Sequence, residues 1–130
     1  MKGKILIVLF LLLQSACTKP SQENLYCRLT LRSVLPDGRI AVSISVDPSL
    51  AGNQLRNLNT GINYPYPTFV NNLGQVQVQK GVYLLSFDGQ ALFADGSQAR
   101  VRFSAWGSPS AAVNVMEDEL ILEMPLSILP

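Results

Sequence analysis

The chain has no histidine among its 130 residues. This absence removes the commonest general base, the commonest metal ligand of proteins, and every Ser-His-Asp or Cys-His catalytic arrangement. No glycine-rich phosphate-binding loop precedes a helical segment either. Carboxylates alone are able to hydrolyse glycosides, so residue types do not exclude every enzyme. We nevertheless expect a protein that is not an enzyme and that uses no cofactor.

Cysteine is scarce, and Cys17 and Cys27 are its only two instances. Two cysteines without histidine cannot build a structural zinc site, so we expect no metal site. Basic residues are also few and dispersed. Without residues 1–16, which hold two of the ten lysines and arginines, eight basic residues face nine acidic ones. Nucleic-acid binding requires a concentrated basic surface, so we expect no nucleic-acid partner.

The most apolar stretch, residues 5–13, follows Lys2 and Lys4. A membrane-spanning helix needs about 20 apolar residues, so this stretch is too short to span a bilayer. A basic start, a short apolar core and small residues near a cleavage site are typical of a secretory signal. We therefore predict a signal helix over residues 1–16.

The end of this segment, Leu13-Gln14 followed by Ser15-Ala16-Cys17, resembles the lipobox of bacterial lipoproteins. The two small residues and the cysteine match the family, whereas Gln14 occupies the usual leucine position. The resemblance implies that Cys17 is lipidated and becomes the first residue of the mature protein. Two alternatives stay open: an ordinary signal-peptidase cut nearby, which gives a soluble secreted protein, and an uncleaved anchor.

Three acyl chains on Cys17 would attach the protein to a lipid bilayer almost permanently, because each buried methylene contributes about 0.8 kcal/mol. Thr18 follows the cysteine in place of aspartate. By resemblance to Gram-negative lipoproteins, this residue favours the outer membrane of the cell envelope. Residues 17–25 then form the lipidated cysteine and a polar tether that spans roughly 15 Å as a random coil.

Residues 26–130 have the pattern of one all-β domain. In "YCRLTLRSV", Leu29 and Leu31 alternate with charged and polar residues, as in a half-buried strand. Pro-Asp-Gly at 36–38 predicts a hairpin to a second strand that carries Ile40, Val42 and Ile44. Asp-Gly pairs at 88–89 and 95–96 predict further hairpins. Short strands with frequent turn signals predict a single antiparallel β-sandwich of about 7–9 strands.

The predicted core contains Leu31, Ile44, Leu85 and Phe103, which occupy the apolar positions of this alternation. Ser43 falls on the opposite face. We also predict that Cys27 is a small buried hydrophobe, because it shares its face with two leucines.

Gly74, Lys80, Gly81 and Tyr83 give the domain a further resemblance. A turn glycine, a short strand and Lys-Gly-x-Tyr opening a central strand are similar to prealbumin-like sandwiches. This group includes transthyretin-like, Cna-B-like and carboxypeptidase-regulatory-like domains. The likeness covers roughly residues 28–103, and it implies a fold but no active site.

The candidate contact residues are Tyr64, Tyr66 and Trp106. Prolines in "NYPYPTF" stiffen the backbone around both tyrosines. Rigid aromatic rings suit contacts with a glycan or a protein, although the same rings also suit packing against the edge of a sheet. We therefore expect a binding or assembly module of the envelope, in an adhesive, fimbrial or carbohydrate-uptake complex. The alternative is a passive structural lipoprotein.

Overall fold

The computed structural model describes residues 25–104 and 112–130, and this part of the chain contains ten β-strands and no helix. The all-β class is therefore confirmed. The predicted signal helix lies outside the described residues. The strands are β1 (Tyr26–Val34), β2 (Ser43–Val46), β3 (Gln54–Asn57), β4 (Phe69–Val70), β5 (Leu73–Gln79), β6 (Gly81–Leu92), β7 (Gln98–Ser104), β8 (Val113–Val115), β9 (Glu119–Pro125) and β10 (Ser127–Leu129). No helix of the described ranges is long and apolar enough to cross a membrane.

All ten strands belong to one curled, mixed sheet. Its main path runs β10-β7-β6-β2-β4-β5-β1-β9, and β3 and β8 also pair with β6. Only Leu126 separates β9 from β10, so the last part of the chain joins both ends of the path. Strand β9 pairs with β1, and strand β10 pairs with β7. The sheet therefore curls around a common core.

The prediction of a wholly antiparallel sheet is wrong, because β9 runs parallel to β1. The end of β8 lies near the start of β1, where the backbone N–H of Arg28 donates to the carbonyl of Asp118 at 2.8 Å. The bend at Glu117 and Asp118 turns the chain there. Strand β9 consequently starts beside the start of β1 and runs in the same direction.

Alternation along β1 determines which face is buried. Cys27, Leu29 and Leu31 are buried, whereas Arg28 and Arg32 are exposed. This is the period of two that the sequence predicts, since successive side chains of a strand point to opposite faces. Burial also raises the pKa of the Cys27 thiol above its ordinary value.

The other predicted core positions are largely confirmed. Ile44 and Leu85 are buried, and Phe103 is half-buried with its ring stacked on Phe87 at a centroid distance of 6.3 Å. Phe69 also stacks on Phe87, at a centroid distance of 5.7 Å. Aromatic rings at such distances contribute beyond their buried area.

Strand β6 is the centre of the sheet, with 12 residues and four partner strands. Its first half pairs with β3 and β8, and its second half pairs with β2 and β7. The apolar sequence "GVYLLSF" predicts such a central position, because both faces and both edges of the strand are covered.

The curled sheet has two ends. Lys80 alone connects β5 to β6, and the start of β1, residues 57–62 and residues 116–118 lie around it; we call this the Lys80 end. At the other end of β6, the hairpin to β7 turns at Asp95 and Gly96, as predicted. Residues 35–41 and the β4–β5 turn also lie at this second end, which we call the Asp95 end.

The predicted hairpin between the first two strands is wrong. Strand β1 pairs with β5 and β9, whereas β2 pairs with β4 and β6. Ala41 is buried while Ile40 and Val42 are exposed, so the regular alternation of the second strand begins only at Ser43. The two strands do not pair because residues 35–42 cross the Asp95 end of the sheet between them. There the side-chain oxygen of Asn72 accepts a hydrogen bond from the Ala41 backbone N–H.

The predicted turn at Asp88-Gly89 is also wrong, because both residues lie inside β6. A Cβ atom at position 89 would lie 3.1 Å from both the Ile44 side chain and the Ser45 carbonyl. Glycine here permits a close approach of two strands. It does not mark a reversal of the chain.

Candidate functional site

The two predicted contact tyrosines lie on the segment between β3 and β4, and both rings pack against the core. The Tyr64 hydroxyl accepts a hydrogen bond from the Gln79 backbone at 3.2 Å, and its ring lies 6.3 Å from that of Tyr83. The hydrogen bond and the ring contact hold Tyr64 against the sheet.

Tyr66 is fixed more firmly. Its hydroxyl donates to the carbonyl of Gln54 at 2.6 Å, and its ring lies 4.8 Å from that of Phe87 in a tilted arrangement. Burial raises the pKa of Tyr66 well above its ordinary value. Part of each ring remains accessible, together with Pro65, in a cavity of about 190 Å³. Their role as contact residues stays a prediction.

A buried polar cluster centred on Asn57 holds the Lys80 end together. The Asn57 amide oxygen accepts backbone hydrogen bonds from Asn59 at 2.8 Å and from Thr60 at 3.1 Å. Its amide nitrogen donates to the Tyr83 hydroxyl at 3.1 Å, and that hydroxyl donates to the carbonyl of Gln79. Burial raises the pKa of Tyr83 to about 12.

This cluster gives a physical reason for the glycine and tyrosine of the Lys-Gly-x-Tyr sequence. A Cβ atom at Gly81 would lie 2.6 Å from the amide nitrogen of Asn57 and 2.8 Å from the amide oxygen of Asn59. Gly74 plays a similar part, since a Cβ there would lie 2.8 Å from the Pro67 side chain. Both glycines thus make room for neighbours in the segment between β3 and β4.

A groove lies over the middle of β6, and we call it the β6 groove. It has a volume of about 950 Å³ and is lined by residues 50–54 and 86–88 with Arg102 and Phe103. Leu50 is exposed on one wall, and the half-buried Phe103 supplies an aromatic surface. Concave sites with an apolar lining and a few fixed polar groups are the usual form of ligand sites.

One ion pair supplies the fixed charges of the groove. Arg102 donates from Nε to Asp88 Oδ1 at 2.6 Å and from a terminal nitrogen to Oδ2 at 2.9 Å. The fork of two bonds fixes both side chains in one orientation. The hydrogen bonds from Arg102 lower the pKa of Asp88 below its ordinary value. The pair therefore offers a positioned donor and a positioned acceptor to a molecule in the groove.

The wall formed by residues 47–53 is held by short polar contacts. The buried Asn53 donates to the Asp47 carbonyl at 2.8 Å and accepts from the Asp88 backbone N–H at 2.9 Å. Ser86 donates to the Gly52 carbonyl at 2.9 Å. The hydroxyl and backbone N–H of Ser49 also donate to Asp47, and these bonds lower the pKa of that carboxyl. The groove thus has a preformed wall.

The turn expected at Asp88-Gly89 left the pairing of Asp88 with Arg102 unpredicted. The signal was nevertheless available: both residues lie seven positions from Asp95, the centre of the predicted β6–β7 hairpin, so its register places them opposite each other. The wall at 47–53 had no comparable signal, because its place depends on pairing between distant strands.

Two predicted sites, Cys17 and Trp106, lie outside the described residues. Within residues 25–104 and 112–130, no group of three or more His, Cys, Asp or Glu side chains is placed to hold a metal ion.

Comparison of the chain with protein-family models, with curated proteins and with solved structures finds no match.

Proposed function

We propose that this chain is a lipid-anchored lipoprotein of the bacterial cell envelope and that it acts as a non-catalytic binding or assembly module. The anchor is supported by the short apolar segment that ends in Ser15-Ala16-Cys17. The binding role is supported by the β6 groove, and this groove is the observation that carries the proposal. A prealbumin-like sandwich is the fold family we propose, on the strength of the Lys-Gly-x-Tyr pattern.

The chemistry of the groove favours a carbohydrate ligand. Sugars present hydroxyl groups beside apolar C–H faces. Asp88 accepts hydrogen bonds and Arg102 donates them, and both are oriented by their mutual contact. Phe103 and Leu50 supply apolar surface within the same groove. An aromatic surface next to fixed polar groups is well suited to hold such a ligand at low entropic cost.

A glycan array with the detergent-solubilised mature protein tests this function. We expect binding to at least one glycan class, and we expect Arg102→Gln to weaken it by about tenfold or more, because a hydrogen bond from a charged donor contributes about 1.5–3 kcal/mol. Arg100→Gln is the matched control, since Arg100 is exposed on the same strand and does not line the groove. Equal losses in both variants would contradict a role for the groove.

A passive structural lipoprotein is the second candidate, and the packing of both tyrosines favours it. In that case Tyr66→Ala lowers the melting temperature, because it removes a half-buried ring and the hydrogen bond to Gln54. No glycan or partner protein is then bound by any variant. A flat array and an empty pull-down, together with this loss of stability, would replace the binding proposal by the structural one.

The anchor is tested separately by the intact mass of protein extracted from membranes. We expect the mass of the chain from Cys17 onward plus its acyl groups. An unmodified Cys17 thiol would instead indicate one of the two alternatives, a soluble secreted protein or an uncleaved anchor.

A further inference from the structure

Exposed apolar side chains form a group at each end of the curled sheet, with five at the Lys80 end and six at the Asp95 end. The six at the Asp95 end are Val34, Ile40, Val42, Val70, Leu73 and Leu92. At the Lys80 end, Met116 is 56% exposed and Leu25 is 52% exposed. The group at this end comprises Leu25, Tyr26, Leu58, Ile62 and Met116. Exposed apolar residues that stand alone need no explanation, but a group at one end of a domain indicates a contact surface.

The backbone brings these residues together from separate parts of the chain. Leu25 and Leu58 each form a backbone hydrogen bond with residues 80–82, at 2.8 and 2.7 Å. Strand β8, which ends just before Met116, pairs with the start of β6. The side chains therefore surround the connection between β5 and β6, at the tips of three neighbouring chain segments.

Around Lys80 the acidic side chains outnumber the basic one. The Lys80 ammonium lies 2.6 Å from the Asp118 carboxylate, and Glu117 precedes that aspartate. The end thus offers no excess of positive charge to an anionic surface. A contact made here is apolar, and its strength does not depend on salt.

The position of Cys17 in the sequence determines which surface lies close to the Lys80 end. Leu25 follows Cys17 by eight positions, and eight fully extended residues span at most about 28 Å. An acylated Cys17 therefore keeps the Lys80 end within that distance of the bilayer surface. The Asp95 end lies about 36 Å from the Lys80 end along β6, which has 12 residues.

We propose that the Lys80 end rests on the lipid surface and inserts Leu25, Leu58 and Met116 among the headgroups. This inference rests on the proposed acylation of Cys17. Apolar faces of interfacial proteins enter the boundary between headgroups and acyl chains by about 5–10 Å. A lipid surface is favoured over a protein partner because the tether joins the domain at this end, whereas the apolar group at the Asp95 end has no direct connection to the anchor.

Fluorescence quenching in vesicles tests the contact. The full-length acylated protein carries a single bimane label at Met116→Cys and is reconstituted into phosphatidylcholine vesicles with or without brominated acyl chains. The matched control is Ile40→Cys, because Ile40 is 64% exposed, apolar and located at the Asp95 end. The native Cys27 is buried and does not compete for the label.

We expect brominated lipid to quench the Met116 label by about half, given insertion to a depth of about 5–10 Å, and to leave the Ile40 label unchanged. The quenching should persist at high salt. Protein that is acylated and sediments with vesicles, but is quenched at neither position, would overturn this inference and leave the anchor intact. A Met116 signal that changes with protein concentration in detergent would assign the surface to a second copy and also overturn it. Absence of the acyl mass and of sedimentation would overturn both proposals.

Discussion

Replacement of Asn57 by alanine should destabilise the domain more than any substitution of an exposed asparagine. The side chain is fully buried and makes three contacts of good length: two accepted from the backbone of residues 59 and 60, and one donated to the Tyr83 hydroxyl. Two further contacts, to the carbonyls of Gln79 and Lys80, measure 3.3 and 3.4 Å. Removal leaves buried backbone groups without partners, and each such group costs about 1–3 kcal/mol.

Because the two contacts to the carbonyls are long and water reaches part of the loop, we expect a loss of about 3 kcal/mol in the free energy of unfolding. This is a large fraction of the roughly 5–15 kcal/mol that stabilises a domain. Urea denaturation followed by circular dichroism measures the change, with an unaltered slope showing that two-state unfolding is retained.

Asn114→Ala supplies the control, since Asn114 is exposed on β8 and makes no side-chain hydrogen bond to the described part of the chain. Its substitution should change the free energy of unfolding by less than about 0.5 kcal/mol. Combination of Asn57→Ala with Tyr83→Phe should cost less than the sum of the two, because both remove the same contact. Equal effects at Asn57 and Asn114 would refute the reasoning.

Two further predictions concern Gly81 and Asp88. Gly81→Ala should lower the free energy of unfolding by about 1–3 kcal/mol, because the new methyl group overlaps the side chains of Asn57 and Asn59; an unchanged melting temperature would contradict this. The Arg102–Asp88 pair is more than a third exposed, so its advantage over Asp88→Asn should stay below about 1 kcal/mol. Because the pKa of Asp88 is lowered in the folded state, this advantage is complete above the unfolded pKa of about 3.9 and disappears as pH falls through the lower folded pKa. Urea titrations of the unaltered protein and of Asp88→Asn at neutral and acidic pH measure this difference in the free energy of unfolding. A difference that grows on acidification would contradict the ion pair as its source.

Local patterns in the sequence predict which face of a strand is buried but not which strands pair. The alternation from Cys27 to Leu31 predicts the buried face of β1, since period two depends only on neighbouring residues. The partners of β1 are β5 and β9, which lie far away in the chain, and no local pattern specifies them. The hairpin prediction failed for this reason.

Asp-Gly pairs show the same limit at a smaller scale. Asp95-Gly96 forms the turn that the dipeptide predicts, with Gly96 at a φ of 85°. Asp88-Gly89 has the same letters but lies within β6, because a neighbouring strand approaches the glycine closely. Tertiary packing thus decides between two structures that the dipeptide alone allows. The candidate groove depends on such packing too, since its wall at 47–53 is fixed by Asn53.

The Asn57 cluster connects the stability of the domain with its proposed contact to lipid. Leu58 directly follows Asn57. The Ile62 carbonyl accepts a hydrogen bond from the Asn57 backbone N–H at 2.8 Å, and this bond restrains the loop between the two residues. Because internal hydrogen bonds already order this loop, its apolar side chains lose little further conformational entropy on contact. The buried amide therefore has a consequence beyond folding: a variant such as Asn57→Ala, even where it remains folded, should hold Leu58 less firmly at the Lys80 end. Brominated lipid should then quench a bimane label at Leu58→Cys less in the Asn57→Ala variant than in the protein that keeps Asn57. The label at Met116→Cys should be quenched equally in both proteins, because β8 positions it independently of Asn57.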